Sequence, residues 1–161
     1  MKKLFILLAF MVIASTSYAQ VYKMYKTQNF HNQLRLNTMT GEVQQIQDDG
    51  QSWIVCSARE ISGDKESRFC LYETQNMWTF IKLNTRDGRM WQVQYDIKGS
   101  ERFEVNLNTA PFATKEEERD GRFTLYPTQN MWTFILLDQI DGRMWQVQWS
   151  MKEDSRFVIQ I

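Results

Sequence analysis

The fold follows from a stretch that occurs twice: RFCLYETQNMWTFIKLNTRDGRMWQVQY at 68–95 and RFTLYPTQNMWTFILLDQIDGRMWQVQW at 122–149. The two copies lie 54 residues apart without a gap, and the match continues through Arg102-Phe103 and Arg156-Phe157. Of the 36 aligned positions, 24 are identical, a level of similarity that chance does not produce. The chain therefore contains a tandem repeat.

A third, divergent copy lies upstream at an offset of 47 residues. Its residues 25–29, YKTQN, match 72–76, but His31 and Gln44 stand where the later copies have tryptophan. This divergence marks either a cap or a specialised site. We therefore predict one β-repeat domain over 20–161, built from units at approximately 21–57, 67–108 and 121–161.

Each unit is expected to form four antiparallel strands, which in the third unit are 123–126, 132–137, 144–149 and 157–161. The run at 132–137 is almost continuously apolar, which is typical of a strand buried on both faces. The run at 144–149 alternates, with Trp145 and Val147 on one face and Gln146 on the other. An Asp-Gly pair closes the hairpin between them. No segment shows the spacing of a capped helix, so the fold class is all-β.

Three units of four strands leave two closed architectures open. A β-trefoil-like closure is favoured, because three units is the number that a trefoil needs and β-propellers usually have four to eight blades. In the alternative, each unit is a propeller-like blade, and the chain is a monomer or a homodimer. An exported protein with two cysteines more often pairs them, so we expect a disulfide between Cys56 and Cys70. This disulfide would favour the trefoil, which sets the two strands side by side. Two buried thiols are the alternative to that disulfide.

The first 19 residues resemble a secretory signal peptide. Lys2 and Lys3 precede an apolar run that is short for a membrane span, and small residues stand before the cleavage point after Ala19. We expect a soluble periplasmic or secreted protein with no membrane span after cleavage. The whole chain has 19 basic and 19 acidic residues, and this balance argues against nucleic acid as a partner.

Few residues occur in known catalytic or metal-binding patterns. We therefore predict a protein that is not an enzyme and holds no cofactor or metal. His31 is the only histidine, and neither cysteine belongs to a CxxC motif. Asp87 and Asp141 recur just before a hairpin glycine, where an aspartate serves the turn. The acidic residues at 114–120 are expected to form a solvated loop. A carboxylate-based hydrolase is the remaining enzymatic hypothesis.

Candidate ligand-binding residues come from the repeated aromatic and polar positions. The tryptophans are either core residues, as their alternation with glutamine favours, or stacking platforms for sugar rings. The polar residues between them form a repeated surface that is able to hydrogen-bond a ligand. The candidates are Trp78, Trp91, Trp132, Trp145, Arg89, Gln92, Arg143 and Gln146. The leading hypothesis is an exported binding module for glycan or cell-wall material, and the alternative is a protein-interaction or inhibitor module that binds an envelope protein through the 114–120 loop.

The stretch at 125–149 resembles a tandem repeat of uncharacterised secreted or envelope proteins from Bacteroides-like bacteria. The resemblance is strong for the second and third units and weaker for the first. It implies export and a β-repeat, and it carries over no reaction and no catalytic residue. The same hairpin is similar to propeller blades with an Asp…Gly…Trp signature, at Asp138, Gly142 and Trp145.

Overall fold

A computed structural model describes residues 20–59 and 67–161, so the predicted signal peptide lies outside the described residues. The prediction of an all-β fold with three four-stranded antiparallel repeats is confirmed. The first sheet comprises β1 (Tyr22–Lys26), β2 (Asn32–Asn37), β3 (Val43–Gln47) and β4 (Ser52–Cys56). The second comprises β5 (Phe69–Glu73), β6 (Thr79–Asn84), β7 (Met90–Gln94) and β8 (Phe103–Asn106). The third comprises β9 (Phe123–Pro127), β10 (Thr133–Asp138), β11 (Met144–Gln148) and β12 (Phe157–Gln160).

Strands pair only with their neighbours in the same unit, in the order in which they occur along the chain. A barrel would need strands of different units to pair along their edges. Within the two described ranges no such pair occurs, and there is no closed barrel. The choice between a trefoil-like and a propeller-like closure stays a prediction. Two short 3-10 helices, Lys115–Glu117 and Glu153–Ser155, lie in the connections.

The hairpin between the second and third strands of each unit depends on a glycine in the left-handed region. Gly88 has φ 79° and Gly142 also has φ 79°, a conformation that side chains with a Cβ rarely adopt. The preceding aspartate accepts a hydrogen bond from the backbone N–H of the following arginine at 2.9 Å in both units. The turn role predicted for Asp87 and Asp141 is therefore confirmed.

Alanine at Gly88 is expected to destabilise the protein more than alanine at Gly142. Both variants place a Cβ at positive φ, which costs about 1 kcal/mol. At Gly88 the added Cβ would lie 2.9 Å from Phe112 Cδ2, which is too close. At Gly142 no atom lies within 4 Å of the added Cβ. Urea denaturation measures the loss of unfolding free energy in each variant. Because both variants have the same backbone strain, the difference between the two losses is the cost of the contact with Phe112. Equal losses of stability would show that Phe112 moves aside freely.

The core consists of two apolar clusters, one on each face of the second sheet. The first cluster joins the first and second sheets and contains Trp91, and the second joins the second and third sheets and contains Trp145. Strands β6 and β7 are consequently buried along their whole length. The prediction that the 132–137 run is buried on both faces is correct for its equivalent β6. It is wrong for β10, because no sheet in the part of the chain that the structure describes covers its outer side, where Ile135 and Leu137 are partly exposed.

The position of the first sheet explains why the first unit diverges. Gln33 and Gln44 occupy the positions of Phe80 and Trp91, which in the second unit face the preceding sheet. No sheet precedes the first one in the described stack, so Gln33 is exposed and Gln44 is partly exposed. The outer face of the first sheet is mixed, because Tyr22, Met24 and Ile54 are exposed on it as well, but the aromatic core residues of the later units are replaced by glutamine, as expected of a terminal repeat.

Cys56 and Cys70 are free thiols in the structure, so the expected disulfide between them is not formed. Cys56 belongs to the first apolar cluster, whereas Cys70 packs against the second, on the opposite side of the second sheet. Only the trefoil-like alternative placed their strands side by side, and the separation of the two side chains by the second sheet was not predicted. Burial raises the pKa of the Cys56 thiol to about 12 and that of Cys70 to about 11. Both cysteines therefore stay protonated at neutral pH.

Candidate functional site

Three of the predicted ligand-binding residues, Trp91, Trp145 and Gln92, are part of the buried interior. The ring of Trp91 packs 6.0 Å from that of Phe69, and the guanidinium of Arg59 lies 4.2 Å from the Trp91 ring centre. Trp145 stacks on Phe112 with ring centres 4.4 Å apart. The side-chain oxygen of Gln92 accepts a hydrogen bond from the backbone N–H of Ser150 at 3.3 Å. These side chains hold the sheets together, which is the core alternative that the alternation favoured.

The two predicted arginines are paired with the aspartates of their own turns. Arg89 Nε donates to Asp87 Oδ2 at 2.7 Å, and Arg143 Nε donates to Asp141 Oδ2 at 2.6 Å. Arg143 also lies over the Trp145 ring at 5.3 Å. These pairs stabilise the hairpin at one end of each sheet. Gln146 lies on the outer face of the third sheet, so the structure does not bring the eight predicted residues into one site.

The remaining two tryptophans, Trp78 and Trp132, lie at the tips of equivalent hairpin loops. These loops connect the first two strands of each unit and span 27–31, 74–78 and 128–132. We call the row of three loops the TQN rim, after the Thr-Gln-Asn sequence that each loop contains. The turns that carry Gly88 and Gly142 are at the opposite end of the sheets.

Threonine and asparagine are required to close each loop. The threonine hydroxyl donates to the backbone oxygen of the asparagine two residues later, at 2.7 Å from Thr27 and 3.1 Å from Thr74 and Thr128. The asparagine side-chain oxygen then accepts the backbone N–H two residues further on, at distances of 2.9–3.0 Å. Short polar side chains of this kind favour turns because they bond to the local backbone.

The glutamine between them has no such role. Gln28, Gln75 and Gln129 are all exposed. Among the described residues, none of the three makes a hydrogen bond inside its own loop, and Gln28 donates only to the backbone oxygen of Thr74 in the next loop, at 3.4 Å. The turn therefore does not explain why a glutamine occupies this position in all three units, including the divergent first one.

Each loop also contains an aromatic residue two or three positions after the glutamine. Phe30 is 84% exposed and Trp132 is 37% exposed, while Trp78 is half-buried. Trp78 packs against Tyr95 and Trp132 against Trp149, with ring centres 5.3 and 4.6 Å apart. In the first loop the ring of His31 lies 3.8 Å from that of Phe30, and its Nδ1 lies 2.6 Å from Asp48 Oδ2.

Hydrogen bonds from the sheets hold the tips of the second and third loops. The hydroxyl of Tyr95 donates to the backbone oxygen of Met77 at 2.6 Å, and Nε1 of Trp149 donates to that of Met131 at 2.9 Å. Burial raises the pKa of the Tyr95 hydroxyl, so it remains a donor. The aromatic residues at these tips are thus held in place before any ligand binds.

The three loops form a row because the units stack in the same way. The hydroxyl of Tyr25 accepts the backbone N–H of Leu71 at 3.2 Å, and the equivalent Tyr72 bonds to the backbone of Leu125. Since stacked sheets pack about 10 Å apart, equivalent rim residues repeat at about that spacing. A shallow depression between the first two loops is lined in part by Gln28, Glu73 and Met77.

A second group of titratable side chains lies inside the first apolar cluster. Lys82 is fully buried, and its Nζ donates to the backbone oxygen of Gly41 at 2.7 Å and pairs with Glu104 at 2.8 Å. Arg59 also pairs with Glu104, at 2.5 Å. Burial raises the pKa of the nearby Cys56 thiol, which donates a hydrogen bond to Glu104. Since Lys82 is enclosed between two sheets, the cluster is structural.

The acidic loop at 114–120 is attached to the body of the protein by ion pairs. Glu118 lies 3.3 Å from Arg68 and 3.8 Å from Arg86, and Asp120 lies 3.3 Å from Arg86. Its remaining glutamates, Glu116 and Glu117, are exposed. The prediction of a solvated loop is therefore correct for only part of the segment, because pairing with arginine was not visible in the local sequence.

Sequence reasoning identified Trp78 and Trp132 but missed the three rim glutamines. The available signal was a glutamine kept between threonine and asparagine in all three units. No protein-family model or curated protein matches the sequence, and no solved structure matches the fold. In the described ranges, no helix has the length and apolar character to cross a membrane, and no three His, Cys, Asp or Glu side chains are grouped to hold a metal ion.

Proposed function

We propose that this protein is an exported, non-enzymatic binding module that takes a glycan chain, such as cell-wall material, along the TQN rim. The observation that carries the proposal is the set of three exposed glutamines that no loop hydrogen bond explains, each in a loop that also contains an exposed or half-buried aromatic residue. Export is supported by the signal-peptide pattern of the first 19 residues.

The chemistry of these side chains suits a sugar polymer. A glutamine amide offers two donors and an acceptor with two lone pairs, so one side chain is able to bond to adjacent hydroxyl groups. Aromatic rings present a flat apolar surface, and Trp132 is 37% exposed, so part of its side chain is free to contact the apolar face of a sugar ring. Three weak contacts at regular spacing on one chain increase the overall affinity through effective concentration.

The variant Gln28→Ala/Gln75→Ala/Gln129→Ala is expected to bind glycan more weakly than the wild type while folding normally. Each net hydrogen bond contributes about 0.5–1.5 kcal/mol, so the loss of all three weakens binding by about tenfold to about a thousandfold. Isothermal titration calorimetry with peptidoglycan fragments and common soluble polysaccharides measures the affinity. Circular dichroism checks the fold.

The matched control is Gln139→Ala/Gln160→Ala, which removes two exposed glutamines at the opposite end of the sheets. It is expected to leave glycan affinity unchanged. Equal affinity of the rim variant and the wild type would place the binding site elsewhere. Absence of saturable binding to every polymer in the panel would overturn the glycan proposal itself.

The protein-interaction hypothesis for the 114–120 loop has less support. Glu118 and Asp120 are engaged by Arg68 and Arg86 of the same chain, and these ion pairs compete with a partner for the same carboxylates. Glu116 and Glu117 are the acidic side chains of the loop that remain exposed outside these ion pairs, and the exposed Lys115 and Arg119 on either side of them offset their charge. We therefore retain the rim as the binding surface.

A further inference from the structure

The outer face of the third sheet is a mixed apolar and amide surface without a charged side chain. Its exposed apolar members include Tyr126, Met144 and Ile159, the last of which is 55% exposed. The strand register places the following side chains on this face: Thr124, Tyr126, Ile135, Leu137, Met144, Gln146, Gln148, Phe157 and Ile159. We call this surface the terminal face.

The second sheet carries the same side chains on its equivalent face, and there they are covered. Ile81, Leu83 and Met90 correspond to Ile135, Leu137 and Met144, and all three are fully buried against the third sheet. The terminal face therefore has the composition of a surface that binds another sheet in this protein, yet no residue in the ranges 20–59 and 67–161 covers it.

The opposite end of the stack is different. On the outer face of the first sheet, Gln33, Arg35 and Gln44 replace the residues that face a neighbouring sheet in the other two units. Both glutamines remain able to bond to water, and the guanidinium of Arg35 lies 5.1 Å from the ring of Tyr22. This face also exposes Tyr22, Met24 and Ile54. The two ends of the stack therefore differ mainly in charge, because the first sheet carries Lys26 and Arg35 on its outer face and the terminal face carries no charged side chain.

We propose that the terminal face binds the terminal face of a second copy of this chain, forming a dimer with two-fold symmetry. The face carries no charge, so pairing with itself brings no like charges together, and two-fold dimers are the commonest assemblies of identical chains. Large uncharged apolar patches on a protein surface mark interaction sites.

Charge also argues against pairing between the terminal face and the first sheet of another copy. That arrangement would bury Arg35, which stands at the position of Lys82. Lys82 is tolerated inside the protein because Glu104 pairs with it, and the terminal face offers no carboxylate for Arg35. An unpaired buried charge is strongly unfavourable.

The size of the face sets the expected strength of the dimer. Four strands about 4.8 Å apart, each contributing about five residues at about 3.4 Å, make a face that is about 17 Å across in each direction. The flat area is therefore about 290 Å² per copy, which is smaller than the roughly 800 Å² per partner of a standard specific interface. We therefore expect a weak, transient dimer that dissociates in the high micromolar range or above.

Sedimentation equilibrium of the mature chain over a range of concentrations tests the proposal. The wild type is expected to show a monomer–dimer equilibrium. Met144→Glu and Ile159→Glu each add one negative charge to the terminal face of both copies. Because these like charges would meet in the dimer, each variant is expected to weaken association at least about tenfold. The matched control Ile54→Glu changes an equally exposed isoleucine on the outer face of the first sheet, and it should leave the dimer unchanged.

Melting temperatures confirm that each variant is folded. If one of them is unfolded, Gln146→Glu adds a charge to the same face with a smaller change in side-chain shape. A wild type that is monomeric at every soluble concentration would overturn the proposal. So would a dimer or larger oligomer that Ile54→Glu disrupts. Disruption by both Ile54→Glu and Met144→Glu would indicate head-to-tail pairing, and disruption by Ile54→Glu alone would indicate pairing between two first sheets. The inference is independent of glycan binding, because the terminal face and the TQN rim share no residue.

Discussion

Replacing Glu104 with valine is expected to destabilise the protein by about 3–5 kcal/mol, the usual cost of removing one partner from a buried ion pair. Glu104 is the carboxylate that lies 2.8 Å from Lys82 Nζ, and Lys82 has no exposed surface. Without Glu104 the ammonium keeps its hydrogen bond to the backbone oxygen of Gly41 but loses its counter-charge. Arg59 is partly exposed, so it can turn its charge toward water.

The double variant Lys82→Leu/Glu104→Val is expected to recover most of that stability. The third unit has leucine and valine at these positions, Leu136 and Val158, and both pack in the second apolar cluster. Apolar residues of similar volume often replace a buried ion pair without loss of stability. Urea denaturation of the wild type, both single variants and the double variant measures the coupling free energy between the two sites. Additive effects of the two substitutions would show that the pair does not act as a unit.

Replacing Trp145 with alanine is expected to destabilise the protein by about 3–5 kcal/mol, the range for a large aromatic side chain removed from a core. Its indole is buried between the second and third sheets and stacks on Phe112, with ring centres 4.4 Å apart. It also packs near Phe123, with a centre distance of 6.2 Å. The surrounding sheets are tied by their own hydrogen bonds, so they are unable to close the cavity completely.

Trp132→Ala is the matched comparison, because it removes the same side chain from the same repeat at a position that is 37% exposed. We expect it to lower stability by about 1–2 kcal/mol, since less apolar surface is lost. Thermal and chemical denaturation of both variants measure this order. If Trp132→Ala lowered stability more than Trp145→Ala, Trp132 would be a core residue. It would then have no role in binding at the TQN rim. A loss of glycan affinity with the fold preserved would instead support the rim.

The two proposed surfaces have a joint consequence for binding. A dimer formed through the terminal face would carry two TQN rims on one particle. A polymer long enough to reach both rims would then bind with higher overall affinity than a short fragment. Variants of the terminal face should reduce affinity for the long polymer without changing affinity for the fragment.

Local structure could be predicted from the sequence because it depends on residues that are close together along the chain. The Asp87-Gly88 pair indicates a tight turn, and Gly88 takes the positive φ that such a turn requires. The alternation of Trp145 and Val147 with Gln146 places the first two on the inner face, which the structure confirms. The repeat itself identifies three units with the same four strands.

Only the tertiary structure decided which of these faces are covered. Met90 and Met144 stand in the same sequence, RMWQVQ, yet Met90 is fully buried and Met144 is 41% exposed. Cys56 and Cys70 are separated in the same way, because the second sheet stands between their two apolar clusters. Burial depends on whether another sheet packs against a given face, and that neighbour comes from a distant part of the chain or from another molecule. Strand periodicity determines which side chains share a face, whereas the order of the stack determines which face meets water.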